Sequence, residues 1–112
     1  MAFMDIGPVV KGHTLVIPKQ HLDPITGAPP VVLHRLIEIV QKITMAQYRE
    51  LKADGVNVSQ ANGQAASQIV PHVHFHVIPR FLAVGPHRNW SPRQYDSIPE
   101  MQSFADRIRA AL

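Results

Sequence analysis

The chain has 112 residues, enough for one compact domain around a single core. It has no cysteine, which excludes a disulfide framework and a thiolate metal site, and its formal charge is only +3. No Lys/Arg-dense stripe with interleaved aromatics appears, no apolar run approaches bilayer-spanning length and no secretory leader is visible. The expectation is a soluble, cytoplasmic, single-domain protein over 1–112 that binds neither a nucleic-acid polymer nor a membrane.

Residues 2–6 read as a β-strand ended by Gly7-Pro8, and residues 13–17 as a second strand bounded by Gly12 and Pro18. Between them, 8–12 forms a hairpin-like connection. Pro24, Gly27, Pro29 and Pro30 mark a loop, with Pro30 suited to the first turn of a helix. From about Val31 to Ala53, the apolar residues Leu33, Leu36, Ile37, Val40, Ile43, Tyr48 and Leu51 fall mostly on one helical stripe, and Gly55 is a stop signal. Such a helix covers one face of a sheet. Residues 56–60 alternate as a strand, a turn containing Gly63 follows, and a histidine-bearing strand then ends at Pro79-Arg80. An irregular loop over 81–98 carries Trp90 and Arg88, and 99–112 reads as a short terminal helix with Met101, Phe104, Ala105 and Ile108 on one side. The order strands, helix, strands, helix indicates an α+β fold with an antiparallel sheet.

The stretch VPHVHFHVIP at 70–79 carries the chemistry. Side chains two apart on a strand share a face, so His72, His74 and His76 fall in one row, with Val73, Phe75 and Val77 opposite. Three explanations compete. Alternate imidazoles can chelate zinc, although no cysteine is present and no Asp or Glu lies between Asp54 and Asp96. A neutral imidazole can instead attack an activated phosphate when its other nitrogen is hydrogen-bonded, while neighbouring imidazoles hold phosphoryl oxygens. The third explanation, satisfied half-exposed histidines, is weakened by the shared face and parity.

The segment PHVHFHVIPR at 71–80 resembles the signature of the histidine triad (HIT) family, in which three histidines alternate with apolar residues. AFMDIGPVVKGHTLVIPKQH at 2–21 is similar to the family's upstream segment, and NGQAASQ at 62–68 to the stretch that commonly precedes the triad. The resemblance spans about residues 2–80. It implies a HIT-like fold, a homodimer, no cofactor and no metal. The implied chemistry is nucleotidyl hydrolysis at the α-phosphate of a purine nucleoside phosphate, of phosphoramidate or dinucleoside polyphosphate type. By position, His74 is the nucleophile that forms a nucleotidyl-histidine intermediate, and His76 contacts the α-phosphate. His72 supports the nucleophile's orientation by hydrogen bonding, His13 lies buried behind the triad, and Gln68 sits beside the scissile phosphate. Asp5 corresponds to the carboxylate that binds ribose hydroxyls, and Ile6 to the apolar contact under the base.

The chain departs from the family pattern at several points. The initial helix and the strand or hairpin that usually precede the first matched strand are missing, which predicts a shortened base pocket and an exposed sheet edge. Ile69 stands where some members have a hydroxyl that assists the leaving group, leaving Ser67 as the nearby hydroxyl. Ala61 stands where several branches contact the nucleotide, with Asn62 adjacent. Asn62 and Ser67 are therefore assigned to the nucleotide shell. Two other readings are a nucleotidyltransferase using the same intermediate and a non-catalytic nucleotide-binding or scaffold protein. His21, His34 and His87 are expected to be ordinary loop and helix-surface residues.

Overall fold

A computed structural model describes residues 1–84 and 94–112. The strands β1 (Ala2–Met4), β2 (Thr14–Val16), β3 (Gly55–Gln60) and β4 (Phe75–Arg80) form one antiparallel sheet in the order β1-β2-β4-β3. The long helix α1 (Pro30–Glu50) packs against β2, β3 and β4, and the short helix α2 (Ile98–Ala110) packs against α1 and β1. This is the α+β arrangement expected from the sequence. Among the described residues no helix is long and apolar enough to cross a membrane. Trp90, Arg88 and His87, and with them most of the irregular loop expected over 81–98, lie outside the described residues.

Helix α1 starts where the chain must stop making extended structure. Pro29 is its N-cap and Pro30 its first residue, where a missing N–H costs nothing. The helix ends short of the expected Ala53 because Lys52 takes a left-handed conformation (φ 56) and the Ala53 N–H closes back on the Gln47 carbonyl at 3.3 Å. Its buried stripe is Leu36, Val40, Ile43, Ala46 and Gln47. Ile37 and Tyr48, expected on that stripe, are instead about half exposed, because 3.6 residues per turn carries them round towards the outer edge of β3. The core joins the α1 stripe to Val16, Val73, Phe75, Val77 and Ile108.

The histidine segment differs from the expected continuous strand. Strand β4 begins only at Phe75, since its neighbour β3 ends at the pair Gln60–Phe75. Only His76 is therefore a strand residue, opposite Leu15 on β2 and Ser59 on β3. His72 and His74 lie on an irregular lead-in, where the His72 N–H turns back to the Val70 carbonyl at 2.8 Å and the Val73 N–H reaches the Leu22 carbonyl at 2.7 Å. The apolar half of the pattern holds throughout, with Val73, Phe75 and Val77 all buried.

Candidate active site

Backbone groups set the state of His13, His72 and His74, and His13 sets that of His76. The Nδ1 of His74 lies 2.6 Å from the His72 carbonyl oxygen, which can only accept, so Nδ1 carries the proton and Nε2 keeps its lone pair. The support expected from His72 thus comes from its carbonyl. Its ring is held elsewhere, with Nδ1 accepting from the Leu22 N–H at 3.4 Å and Nε2 donating to the Pro18 carbonyl at 3.2 Å. The Val9 N–H donates to Nδ1 of His13 at 3.2 Å, which places the proton of neutral His13 on Nε2. That nitrogen is 2.9 Å from Nδ1 of His76, so His76 accepts and carries its own proton on Nε2. The rings of His74 and His76 meet edge to face at 4.8 Å.

Electrostatics reinforces this proton pattern. Burial pushes His13 down to about 4; Asp5 opposes the shift, while His76 and Arg80 add to it. Burial likewise pushes His76 to about 4, helped by His74 and opposed by Asp5. Both rings are therefore neutral near pH 7, the state that the His13–His76 hydrogen bond requires. Asp5, His13 and His76 also offer ligand atoms within 4.8 Å of one another. A cation there would need the lone pair of His13 Nε2, whereas the Val9 contact puts a proton on that atom. The donor set suits a proton-bearing relay better than a metal.

The residues assigned to the nucleotide fall into two groups. Asp5 sits at the His13 end of the row, with one carboxylate oxygen 3.7 Å from His13 Nε2 and the other accepting from the Gly7 N–H at 2.8 Å. Ile6 is 81% exposed beside it, an apolar side chain open to solvent. On the other side, Gln68 is buried and braces its loop. Its oxygen accepts from the Gly63 N–H at 2.6 Å, and its amide nitrogen donates to Asp23 at 2.8 Å and to the Val70 carbonyl at 3.0 Å. Asn62 is occupied too, accepting from the Ile25 N–H at 2.8 Å and exchanging hydrogen bonds with Gln60. Ser67 is exposed with φ 69, and Ile69 is 91% exposed.

Residues 1–82 match the family model described as HIT domain. The chain belongs to the HIT family. It is 46% identical over 85 residues to an uncharacterized HIT-like protein of Methanocaldococcus jannaschii, covering 76% of this chain and 65% of that protein. It is 41% identical over 80 residues to a Schizosaccharomyces pombe protein named adenosine 5′-monophosphoramidase, covering 71% of this chain and 57% of that one. The chain thus spans less than two-thirds of the length of these curated relatives. A crystal structure of a Bartonella henselae HIT-like protein superposes with a TM-score of 0.87 at 41% identity, over 99% of this chain and 79% of that one.

Three residues shape this HIT site that the sequence did not single out. His21 stacks on His72 with ring centroids 5.1 Å apart and planes 15° from parallel, so this loop histidine belongs beside the triad. Asp23 joins the loop before α1 to Gln68. Gln47, fully buried, donates from α1 to the carbonyls of Gly12 and Val77 at 3.1 and 3.0 Å, tying the turn before His13 and strand β4 to the helix. A polar residue one turn beyond Ile43 on the buried stripe was the available signal. His34, by contrast, is on the exposed surface of α1 as expected.

Proposed function

We propose that the chain is a cytoplasmic nucleotide hydrolase acting at the α-phosphate of a purine nucleoside phosphate, with His74 as nucleophile. The observation that carries this reading is the 2.6 Å contact from His74 Nδ1 to the His72 carbonyl, which leaves the Nε2 lone pair outside any hydrogen bond among the described residues. In the first step Nε2 forms a bond to the α-phosphorus while the bond from phosphorus to the leaving group breaks. The His74 ring becomes cationic, and the His72 carbonyl stabilises it through the Nδ1 proton. His76, protonated on Nε2, donates to a phosphoryl oxygen. Water then attacks phosphorus, the His74–phosphorus bond breaks, and a nucleoside monophosphate departs; overall one water is consumed and its protons go to the two products. Asp5 takes the ribose diol, with Ile6 under the base. The fission-yeast relative's name makes an adenosine phosphoramidate the first substrate to test.

Incubation with an adenosine phosphoramidate, a diadenosine polyphosphate or ADP, followed by acid-free quenching and intact-mass measurement, tests this directly. A nucleotidyl adduct and AMP release are expected, with turnover at least ~100-fold lower and no adduct in His74→Ala. AMP binding with turnover no higher than the His74→Ala background would establish the non-catalytic binding protein instead. The proposal includes a homodimer. Ile37, Met45, Tyr48 and Val58 make an exposed apolar depression of about 500 Å³ between α1 and the edge strand β3. Sedimentation is expected to give a dimer for the native chain and a monomer for Met45→Glu; a monomeric native chain refutes it.

A further inference from the structure

The start of the C-terminal segment, from Tyr95 to Glu100, converges on the turn between β1 and β2. The buried Gly12 N–H donates to the Tyr95 hydroxyl oxygen at 2.9 Å. Lys11 Nζ reaches Asp96 at 3.3 Å and Glu100 at 3.0 Å. The Tyr95 ring leans on Phe104 with centroids 5.7 Å apart. Glu100 is held in turn by the Asp96 N–H at 2.9 Å, and its own N–H is capped by Ser97 at 3.1 Å. Helix α2 behind it is seated in the core by Ile108.

The turn gripped this way carries both Asp5 and His13. The Asp5 N–H donates to the His13 carbonyl and the His13 N–H to the Val10 carbonyl, each at 3.0 Å. The Val9 N–H from the same turn sets the His13 tautomer. The carbonyl of Gly12 accepts from Thr14 and from Gln47, so β2 and α1 hold one side of this residue and Tyr95 holds the other. Gly12 has φ +102, and a Cβ there would come within 2.6 Å of Leu51 Cδ1. Its backbone therefore takes its direction from these hydrogen bonds rather than from a side chain of its own.

We propose that Tyr95 is a positioning residue for the triad: through the Gly12 amide it holds the turn that fixes His13, and His13 fixes the proton on His76. This rests on the reading of His76 as the imidazole that meets the α-phosphate. Without the hydroxyl acceptor, the buried Gly12 N–H must rotate to find water, and the Val9–His13 contact made within the same turn moves with it. The Lys11 ion pairs are partly exposed and secondary to the Tyr95 contact.

The test is Tyr95→Phe in the full chain beside Ile108→Val, which loosens the seat of α2 and keeps the hydroxyl. Imidazole ¹⁵N shifts in ligand-free protein read the tautomers of His13 and His76. Tyr95→Phe is expected to turn each single tautomer into a mixture, and to raise the titration of His13, which Asp5, His76 and Arg80 face, towards the ordinary histidine range. Ile108→Val lowers the melting temperature and leaves both shifts in place. In phosphoramidate hydrolysis, Tyr95→Phe lowers kcat roughly tenfold with little change in KM. Unchanged shifts in Tyr95→Phe, or equal changes in Ile108→Val, overturn the proposal. If the native chain turns over nothing and Tyr95→Phe still mixes the tautomers, the hydrolase reading has failed and the positioning role stands.

Discussion

The two flanks of the histidine row are built differently. The flank at His13 and His76 is made of strands and a buried turn, and its proton positions follow from the Val9 backbone N–H on His13 and from His13 on His76. The flank at Gln68, Asn62 and Asp23 is made of loops joined by side-chain hydrogen bonds, with Ser67 and Ile69 in solvent. Strand pairing fixes the register of His76 against Leu15 and Ser59. Loop bracing instead sets a wall whose shape varies with the side chains that build it. On the proposed reading, the chemistry falls to the first flank and selection of the leaving group to the second.

The largest effect expected from this difference is a pH dependence of stability confined to the buried flank. His13 and His76 titrate near 4 in the folded chain against about 6.5 when unfolded. Between those values the unfolded chain takes up protons that the native site refuses, so stability falls as pH drops from about 6.5 and levels off below about 4. This window lies mostly above the carboxylate range. Thermal unfolding at intervals from pH 7.5 to 4 should show a continuous loss of melting temperature through it. A flat profile down to pH 4.5 would mean that both rings take up protons as readily as in water, and the contrast between the flanks would collapse.

A smaller effect is expected from Gln68→Ala on the looped flank. The substitution strips the Gly63 N–H of its acceptor, and Asp23 and the Val70 carbonyl of their donor, a loss of about 1–3 kcal/mol in stability. Because all three of these contacts are made inside the loops, the kinetic change should appear in KM, a few-fold, with kcat held within about twofold. A fall of a hundredfold in kcat at constant KM would show that Gln68 leaves its brace and reaches the scissile phosphate, the role its position in the motif implies.

The unequal flanks also explain what was legible in the sequence. Period-two alternation in PHVHFHVIPR announced the buried Val73, Phe75 and Val77 and the imidazoles opposite, because burial on one face is a property of the run itself. Where the run stops being a strand was not legible, since that depends on β3 ending at Gln60, a partner remote in sequence. His21 read as an ordinary loop residue, and Asp23 drew no notice, because nothing local marks which loop will fold onto His72 or Gln68. Tyr95 was invisible for the same reason, its hydrogen bond spanning 83 residues. The carbonyl that orients His74 belongs to every amino acid and leaves no trace in residue identity.

The smallest expected effect isolates the cost of the looped flank's geometry. Ser67 occupies the left-handed region at φ 69, which side chains with a Cβ adopt at a cost and glycine adopts freely. It is exposed, and its side chain has no hydrogen bond among the described residues. Ser67→Gly removes the strain and gives back part of the gain by freeing the unfolded chain, leaving a net stabilisation of about 0.5–1 kcal/mol. Denaturant titration resolves that difference, and the neighbouring Gln68 brace should keep nucleotide affinity unchanged. If Ser67→Gly is more stable yet binds AMP several-fold less tightly, the Ser67 hydroxyl contacts the nucleotide, and the strain is retained because the hydroxyl is used.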